Sequence, residues 1–311
     1  MDIQTSTDET LDADVIIVGG GVTGCAMATA LADGKRKILI LEARTGHKPR
    51  FAGELLHPTG TQVLDDLGFL ETLRRHGGVD VDGFAVVKSV SDPVTRLPYG
   101  EIERQRPTGF AMEHRDLVTG MREWTEKQPG VRFLFSEKVE ELTHNAQGRV
   151  NGVRTATKTL RANLVLGCDG RHSKIRPLLG LSEEARLLSF SVAMRFPDGA
   201  KHLPCPTFGH IFLGAWGPML IYPIGGHNGS RDARGCFDVT RELSGGPKGA
   251  SDLIRREYAP HLPPALSKAL LESLDREPPQ IAANEAIRTA KAILPGAAII
   301  GDAGGCAHPL T

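Results

Sequence analysis

At 311 residues the chain is too long for a single small core and long enough for two packed domains around a large ligand. Apolar residues make up 40% and charged residues 24%, with 36 Gly and 20 Pro, which excludes disorder and coiled coil in favour of a turn-rich globular fold. Lys plus Arg equals Asp plus Glu at 37 each, so no net field selects nucleic acid or another polyanion as a partner.

Residues 1–12 read as an acidic, polar tail without the basic and apolar regions of a signal peptide. D-V-I-I-V-G-G is a continuous apolar run that ends in glycines. V-T-G-C-A-M-A-T-A-L-A-D-G then has helical spacing up to a Gly stop, and K-I-L-I-L-E-A-R is a second buried strand. Strand, Gly turn, helix and strand make the βαβ unit of a parallel sheet.

From Glu54 to Arg75 the leucines at 64, 67, 70 and 73 predict a helix or two short ones, and G-F-A-V-V-K-S-V a strand. M-E-H-R-D-L-V-T-G-M-R-E-W-T-E-K predicts a helix. V-R-F-L-F, E-K-V-E-E-L-T-H, G-R-V-N-G-V-R-T-A-T and K-T-L-R-A-N-L-V-L-G-C-D-G are successive strands with an N-A-Q-G turn. From about Ser182 to Glu285 short strands (L-S-F-S-V-A-M-R-F, M-L-I-Y-P-I-G, G-C-F-D-V) precede two helices, D-L-I-R-R-E-Y-A-P and P-P-A-L-S-K-A-L-L-E-S-L. A-A-I-I-G-D-A-G-G then returns to the first domain.

Gly19, Gly21 and Gly24 form G-x-G-x-x-G between strand and helix, and Glu42 closes the next strand about 20 residues on. Gly19 permits the tight turn, Gly21 lets backbone approach a pyrophosphate, and Gly24 lets the helix pack on the strand. The helix N-terminus adds partial positive charge. Glu42 can accept both hydroxyls of an adenosine ribose and repels a 2'-phosphate, which leaves FAD or NAD as the held dinucleotide.

G-C-D-G-R-H-S-K-I-R carries Asp169, Gly170, Ser173 and Arg176 in the pattern D-G-x-x-S-x-x-R, and I-I-G-D-A-G-G-C-A-H-P carries Gly301, Asp302, His308 and Pro309. With these segments the chain resembles the FAD-dependent monooxygenases of the aromatic hydroxylase type, from about Ala13 to Thr311. It is most similar to squalene monooxygenases through G-E-L-L-H-P-T-G-T-Q-V-L-D-D-L-G, G-P-M-L-I-Y-P-I-G and G-D-A-G-G-C-A-H-P-L-T. It departs from that subfamily at His57 and Thr59, where the subfamily has Gln and Gly, so the resemblance stops short of squalene itself as substrate.

The resemblance implies an α/β fold with α+β elements: a Rossmann-like FAD-binding domain with an inserted, mostly antiparallel β-sheet substrate domain. Residues 13–80, 106–180 and 286–311 are assigned to the first and 81–105 and 181–285 to the second. It implies bound FAD, with Asp302 on the ribityl hydroxyls and Arg115 near the phosphates or ribityl chain. Val139 meets adenine through its backbone, Pro309 lies near the flavin ring, and Arg44 joins the cofactor-binding set. Asp169 orients a loop over FAD and an incoming nicotinamide nucleotide, and Arg176 caps that segment by salt bridge.

The implied activity is epoxidation or hydroxylation of an apolar isoprenoid or aromatic substrate, with NAD(P)H as reductant and oxygen passing through a flavin hydroperoxide. Two alternatives stay open: a flavin-dependent isoprenoid double-bond reductase, and a truncated FAD-binding protein without activity. No protein base is assigned. His57 and His308 are the candidates, and Tyr222 and Trp216 are read as core or pocket wall.

Cys25, Cys168, Cys205, Cys236 and Cys306 are odd in number and lack metal-ligand spacing, which predicts free, mostly buried thiols in a reducing cytoplasm and no metal. No run approaches the roughly 20 apolar residues that span a bilayer, and peripheral membrane contact stays open. In the resembling families H-P is followed by a Gly-rich turn, a flavin-facing helix and membrane-associating C-terminal helices. The expectation is therefore an enzyme cut short, membrane-associated in a longer form.

Overall fold

A computed structural model of the chain describes residues 10–46, 54–102, 106–181, 183–214, 217–226, 229–240 and 243–308. Its contacts divide it into two compact units, Met1–His47 with Met121–Ala185 and Ala286–Cys306, and Lys48–Gly120 with Arg186–Glu285 and Ala307–Thr311.

In the first unit the apolar run Ala13–Val18 is a central strand, parallel to Ile38–Glu42 on one side and to Thr159–Gly167 on the other. Val131–Phe135 and Ala297–Ile299 extend the parallel sheet, and Ile293–Leu294 adds an antiparallel edge. The run is apolar without alternation because both faces are covered. Ile16 and Val18 pack with Leu39, Leu41 and Val165, whereas Val15 and Ile17 pack with Ile38, Ile40 and Ala28 of the helix Val22–Leu31. The strand Val139–His144 turns back at Asn145, whose side-chain oxygen accepts the backbone N–H groups of Gln147 and Arg149, into Val150–Thr155.

The expected helical stretch between Glu54 and Arg75 opens with a two-residue strand, Leu55–Leu56. It continues as the helices Pro58–Asp66 and Leu70–Arg75. Residues 48–80 and 106–120 group with the second unit, where the sequence reading placed them in the cofactor domain. The physical reason is a three-stranded sheet of Leu55–Leu56, Gly109–Ala111 and Val79–Val81, whose Val81 and Ala111 share a small core with Tyr222.

The second unit is built on a mostly antiparallel sheet in the order Gln280–Thr289, Glu183–Phe196, Arg231–Val239, Gly217–Gly225, Gly209–Gly214, Gly83–Val87 and Thr95–Pro98. Only Gly209–Gly214 with Gly83–Val87 is parallel among the described registers of this sheet. One face carries Val192, Met194, Phe196, Phe212, Ile221 and Phe237 and packs on Leu266, Leu270 and Leu274 of the helix Pro264–Arg276. Those leucines recur every four residues and so share one helix face.

His210 in this sheet is fully buried. Its Nδ1 is 3.0 Å from the Phe208 carbonyl and its Nε2 accepts the Cys205 N–H at 3.2 Å, which uses both nitrogens of a neutral ring. Burial pushes the imidazole down to about 4 from 6.5. A depressed pKa means that the native state refuses a proton the unfolded chain takes, so its contribution is present above pH 6.5 and is lost as pH falls toward 4. Urea unfolding between pH 7 and 4.5 should therefore cost wild type about 2–3 kcal/mol more than His210→Asn. Equal losses would show that the ring protonates freely in the native state.

Candidate functional site

In the first unit the Gly-rich turn joins the central strand to the helix Val22–Leu31. Gly19 has φ +105°, and a Cβ there would lie 2.5 Å from the Cys168 carbonyl oxygen. A Cβ at Gly24 would lie 1.9 Å from the Gly19 carbonyl oxygen, so the helix packs on the turn only without a side chain. Gly21 differs, because a Cβ there would meet nothing within 4 Å. Its bareness serves no described protein contact and leaves open space beside the N-terminus of the helix it caps, whose first turn carries no acidic residue.

The three motifs meet around this turn. Gly19 abuts Cys168 and Asp169 of the D-G segment. Gly301, at φ +64°, approaches Thr23 in the helix's first turn so closely that a Cβ would lie 2.5 Å from its Oγ1. Arg176, buried, donates Nε to the Ala303 carbonyl at 3.0 Å and Nη2 to the Asp302 carbonyl at 3.1 Å, and so joins the second motif to the third. Ser173 Oγ accepts the Arg176 N–H at 3.0 Å.

Asp169 Oδ2 accepts the N–H groups of Lys174 (2.6 Å) and Ile175 (3.2 Å) and so caps the short helix Ile175–Leu178. Its other oxygen, Oδ1, is buried and finds no donor among the described residues. Asp302 is exposed in the turn Gly301–Ala303, and Val139 is buried in core at the start of its strand. The open space at Gly21, the orphan oxygen of Asp169 and an exposed carboxylate at 302 form a donor and acceptor set that fits a diphosphate flanked by polyhydroxyl groups.

Glu42 is more heavily engaged than its spacing suggests. Its Oε2 accepts the Gly20 N–H at 3.0 Å and Arg122 Nη2 at 2.8 Å, and its Oε1 accepts the Arg44 N–H at 3.0 Å. Among the described residues three of its four acceptor positions are therefore taken, leaving one for a ribose hydroxyl. Arg122 offsets the charge of Glu42, so repulsion alone does not exclude a 2'-phosphate.

Arg122 was not among the residues singled out from sequence. It lies on the helix His114–Thr125, about 80 residues beyond Glu42, in a stretch with several other charges. The helix pattern was its only local signal. Cys25 and Cys168 are pushed up to about 12 by burial, which keeps both as thiols beside the motif glycines.

The remaining candidates lie in the second unit. Arg115 is exposed and donates Nε to the adjacent Asp116 at 3.0 Å. His57 Nδ1 is 2.7 Å from the Tyr99 hydroxyl, and its ring is 5.6 Å from Phe84. Burial lowers the His57 pKa and raises that of Tyr99 to about 12, so both are neutral near pH 7. His308 Nε2 lies 2.9 Å from Ser189 Oγ and 3.3 Å from Asp238 Oδ1, and Asn284 donates to Ser189 at 2.9 Å. Pro309 and Trp216 lie outside the described residues.

Tyr222 is buried, as read from sequence, yet its hydroxyl reaches Glu54 at 3.2 Å in a network that sequence reasoning missed. Arg234 Nη2 donates to Glu54 Oε1 and Glu113 Oε1, and Arg195 bridges Glu113 and Asp232 at 2.6 Å each. These residues come from five separated segments, and no local pattern pairs them.

The chain is 31% identical to squalene epoxidase erg1 of Aspergillus fumigatus, over 96% of its own length and 62% of that protein. It is 30% identical to squalene monooxygenase of Mus musculus, over 98% and 53%. It thus spans between about half and two thirds of the length of these relatives.

A probable FAD-dependent monooxygenase from Pseudomonas aeruginosa shares the fold with a TM-score of 0.77 at 21% identity, covering 96% of this chain and 80% of that one. The p-nitrophenol 4-monooxygenase of Pseudomonas putida does so with a TM-score of 0.78 at 19% identity, covering 96% and 74%. The family model described as FAD binding domain matches residues 12–251, well over half of the chain. Three motifs gathered at one Gly-rich turn and this match together place the chain in the FAD binding domain family.

Proposed function

We propose that this chain binds FAD as part of a monooxygenase that epoxidises or hydroxylates an apolar isoprenoid or aromatic substrate, using NAD(P)H and oxygen. The observation that carries the reading is the convergence of the Gly19–Gly24 turn, the Asp169 segment and the Gly301 turn in one unit. Squalene-acting relatives and the fold shared with aromatic monooxygenases support the substrate class.

Bound FAD supplies acceptance of a hydride and activation of oxygen. The chain's residues bind and orient it. Gly21 and the following helix N-terminus take the pyrophosphate, Glu42 the adenosine ribose, and the backbone at Val139 the adenine. Asp302 holds ribityl hydroxyls, Asp169 accepts a hydroxyl on Oδ1, and Arg115 and Arg44 supply cationic contacts to the cofactor. His57, which the family resemblance puts on the substrate side, is hydrogen-bonded to Tyr99 and neutral near pH 7, so it brings no charge there. The overall balance takes two electrons from NAD(P)H, adds one oxygen atom to the substrate and releases the other as water.

Purified protein supplemented with FAD and then freed of unbound flavin by gel filtration should stay yellow, lose that colour anaerobically on addition of NADH or NADPH, and consume oxygen faster with an isoprenoid or aromatic substrate. FAD-loaded protein that bleaches but shows no substrate-dependent oxygen uptake would overturn the monooxygenase reading. Failure to bind FAD would overturn the whole assignment.

A further inference from the structure

We infer that Arg122 is a positioning residue for the adenosine ribose of FAD, acting through Glu42 and the Gly20 peptide; this rests on the FAD site proposed above. Its guanidinium donates Nε to the Gly20 carbonyl at 2.6 Å and Nη2 to Glu42 Oε2 at 2.8 Å, and that same oxygen accepts the Gly20 N–H at 3.0 Å. Guanidinium, carboxylate and peptide therefore close a ring, with both polar groups of Gly20 turned inward. The loop's carbonyl is drawn away from any phosphate, and Glu42 is held with Oε1 free to accept once more.

The fork is itself fixed. Arg122 is only 11% exposed in its side chain, and its Cζ lies 5.4 Å from the Phe135 ring centroid. One turn along the same helix, Thr125 Oγ1 donates to the Cys25 carbonyl at 3.4 Å and lies 3.1 Å from Thr29 Oγ1. A planar two-pronged donor is required to reach both acceptors; an ammonium is a single point charge. Without Arg122 the Gly20 carbonyl and Glu42 face each other as two acceptors in a largely buried place, and the carboxylate leaves its ribose-ready rotamer.

The test is a set of FAD titrations followed by flavin fluorescence on wild type, Arg122→Met, Arg122→Lys, Glu42→Gln and the double variant Arg122→Met with Glu42→Gln. Each is titrated with FAD and with FAD lacking the adenosine 2'-hydroxyl. Arg122→Met is expected to raise the Kd for FAD roughly ten- to a hundredfold, the scale of charge-assisted hydrogen bonds, and that for the deoxy analogue much less. The double variant should bind no more weakly than Glu42→Gln alone.

Equal losses for the two ligands, or losses that multiply in the double variant, would overturn the role of Arg122 and reduce it to general support of the fold. If Arg122→Met yields no folded protein, Arg122→Lys decides: a smaller loss selective for FAD supports the inference, and equal affinity changes for both ligands overturn it. Wild type that binds no FAD would overturn the functional reading and this inference with it. Wild type that binds FAD while the variants lose no selectivity overturns only this inference.

Discussion

Replacing Gly21 by alanine should leave the apoprotein within about 1 kcal/mol of wild type in stability, yet weaken FAD binding roughly a hundredfold or more. A Cβ at this position meets no described protein atom within 4 Å, and the residue's φ of −89° is ordinary for alanine. The methyl group would instead occupy the space beside the helix N-terminus that a pyrophosphate must enter. Gly24→Ala is the contrasting case. Its Cβ would lie 1.9 Å from a backbone oxygen, so the helix must shift and the apoprotein should lose about 3 kcal/mol or more. Thermal unfolding of the apoproteins and FAD titration separate the two. If Gly21→Ala keeps wild-type affinity, the pyrophosphate does not pass there.

Arg234→Met should be the most damaging change in the second unit, costing about 3–5 kcal/mol at pH 7. Glu54 has 1% side-chain exposure, and Arg234 Nε lies 2.8 Å from its Oε2, an ion-pair contact whose N–H is not aligned for a hydrogen bond. Nη2 makes the aligned bond to Oε1 at 3.2 Å. Burial already raises the pKa of Glu54, with Arg234 as the chief opposing influence. With Arg234 gone the carboxyl rises further and the native state holds a proton that the unfolded chain releases above about pH 4.5.

The deficit of Arg234→Met should therefore shrink as pH falls from 7 to 5, and Glu54→Leu in the same chain should restore most of the stability, since no buried charge is left unpaired. Urea unfolding at the two pH values checks both outcomes. A deficit independent of pH and unrelieved by Glu54→Leu would show that lost packing around Arg234, not the stranded carboxylate, dominates.

Much of the first unit was legible because its signals are local. A strand buried on both faces must be an unbroken apolar run, and a tight turn onto a helix must be glycine at the positions where a Cβ would collide. Glu42 was legible by its offset from the turn. Its occupancy was not, because Arg122 reaches it from a helix about 80 residues further on, where its neighbours Glu123, Glu126 and Lys127 offer equally plausible surface charges. The five-residue network of Glu54, Glu113, Arg195, Asp232 and Arg234 was illegible for the same reason, since its pairs span 37 to 180 positions.

The grouping of residues 48–80 and 106–120 also escaped a reading made in chain order. Short strands such as Leu55–Leu56 and Gly109–Ala111 carry too few residues for a period, and only pairing with Val79–Val81 and packing around Tyr222 assigns them to a unit. The residue pattern alone determined the βαβ opening and the three motif segments, because each depends on spacing within about 20 residues, while the choice of FAD over NAD came from the family those segments together resemble. Tertiary structure alone decided which charge meets which, that Gly21 faces open space while Gly19 and Gly24 face backbone, and that Asp169 keeps a buried oxygen without a donor among the described residues. Those are distances between segments far apart in the chain, and no local spacing contains them.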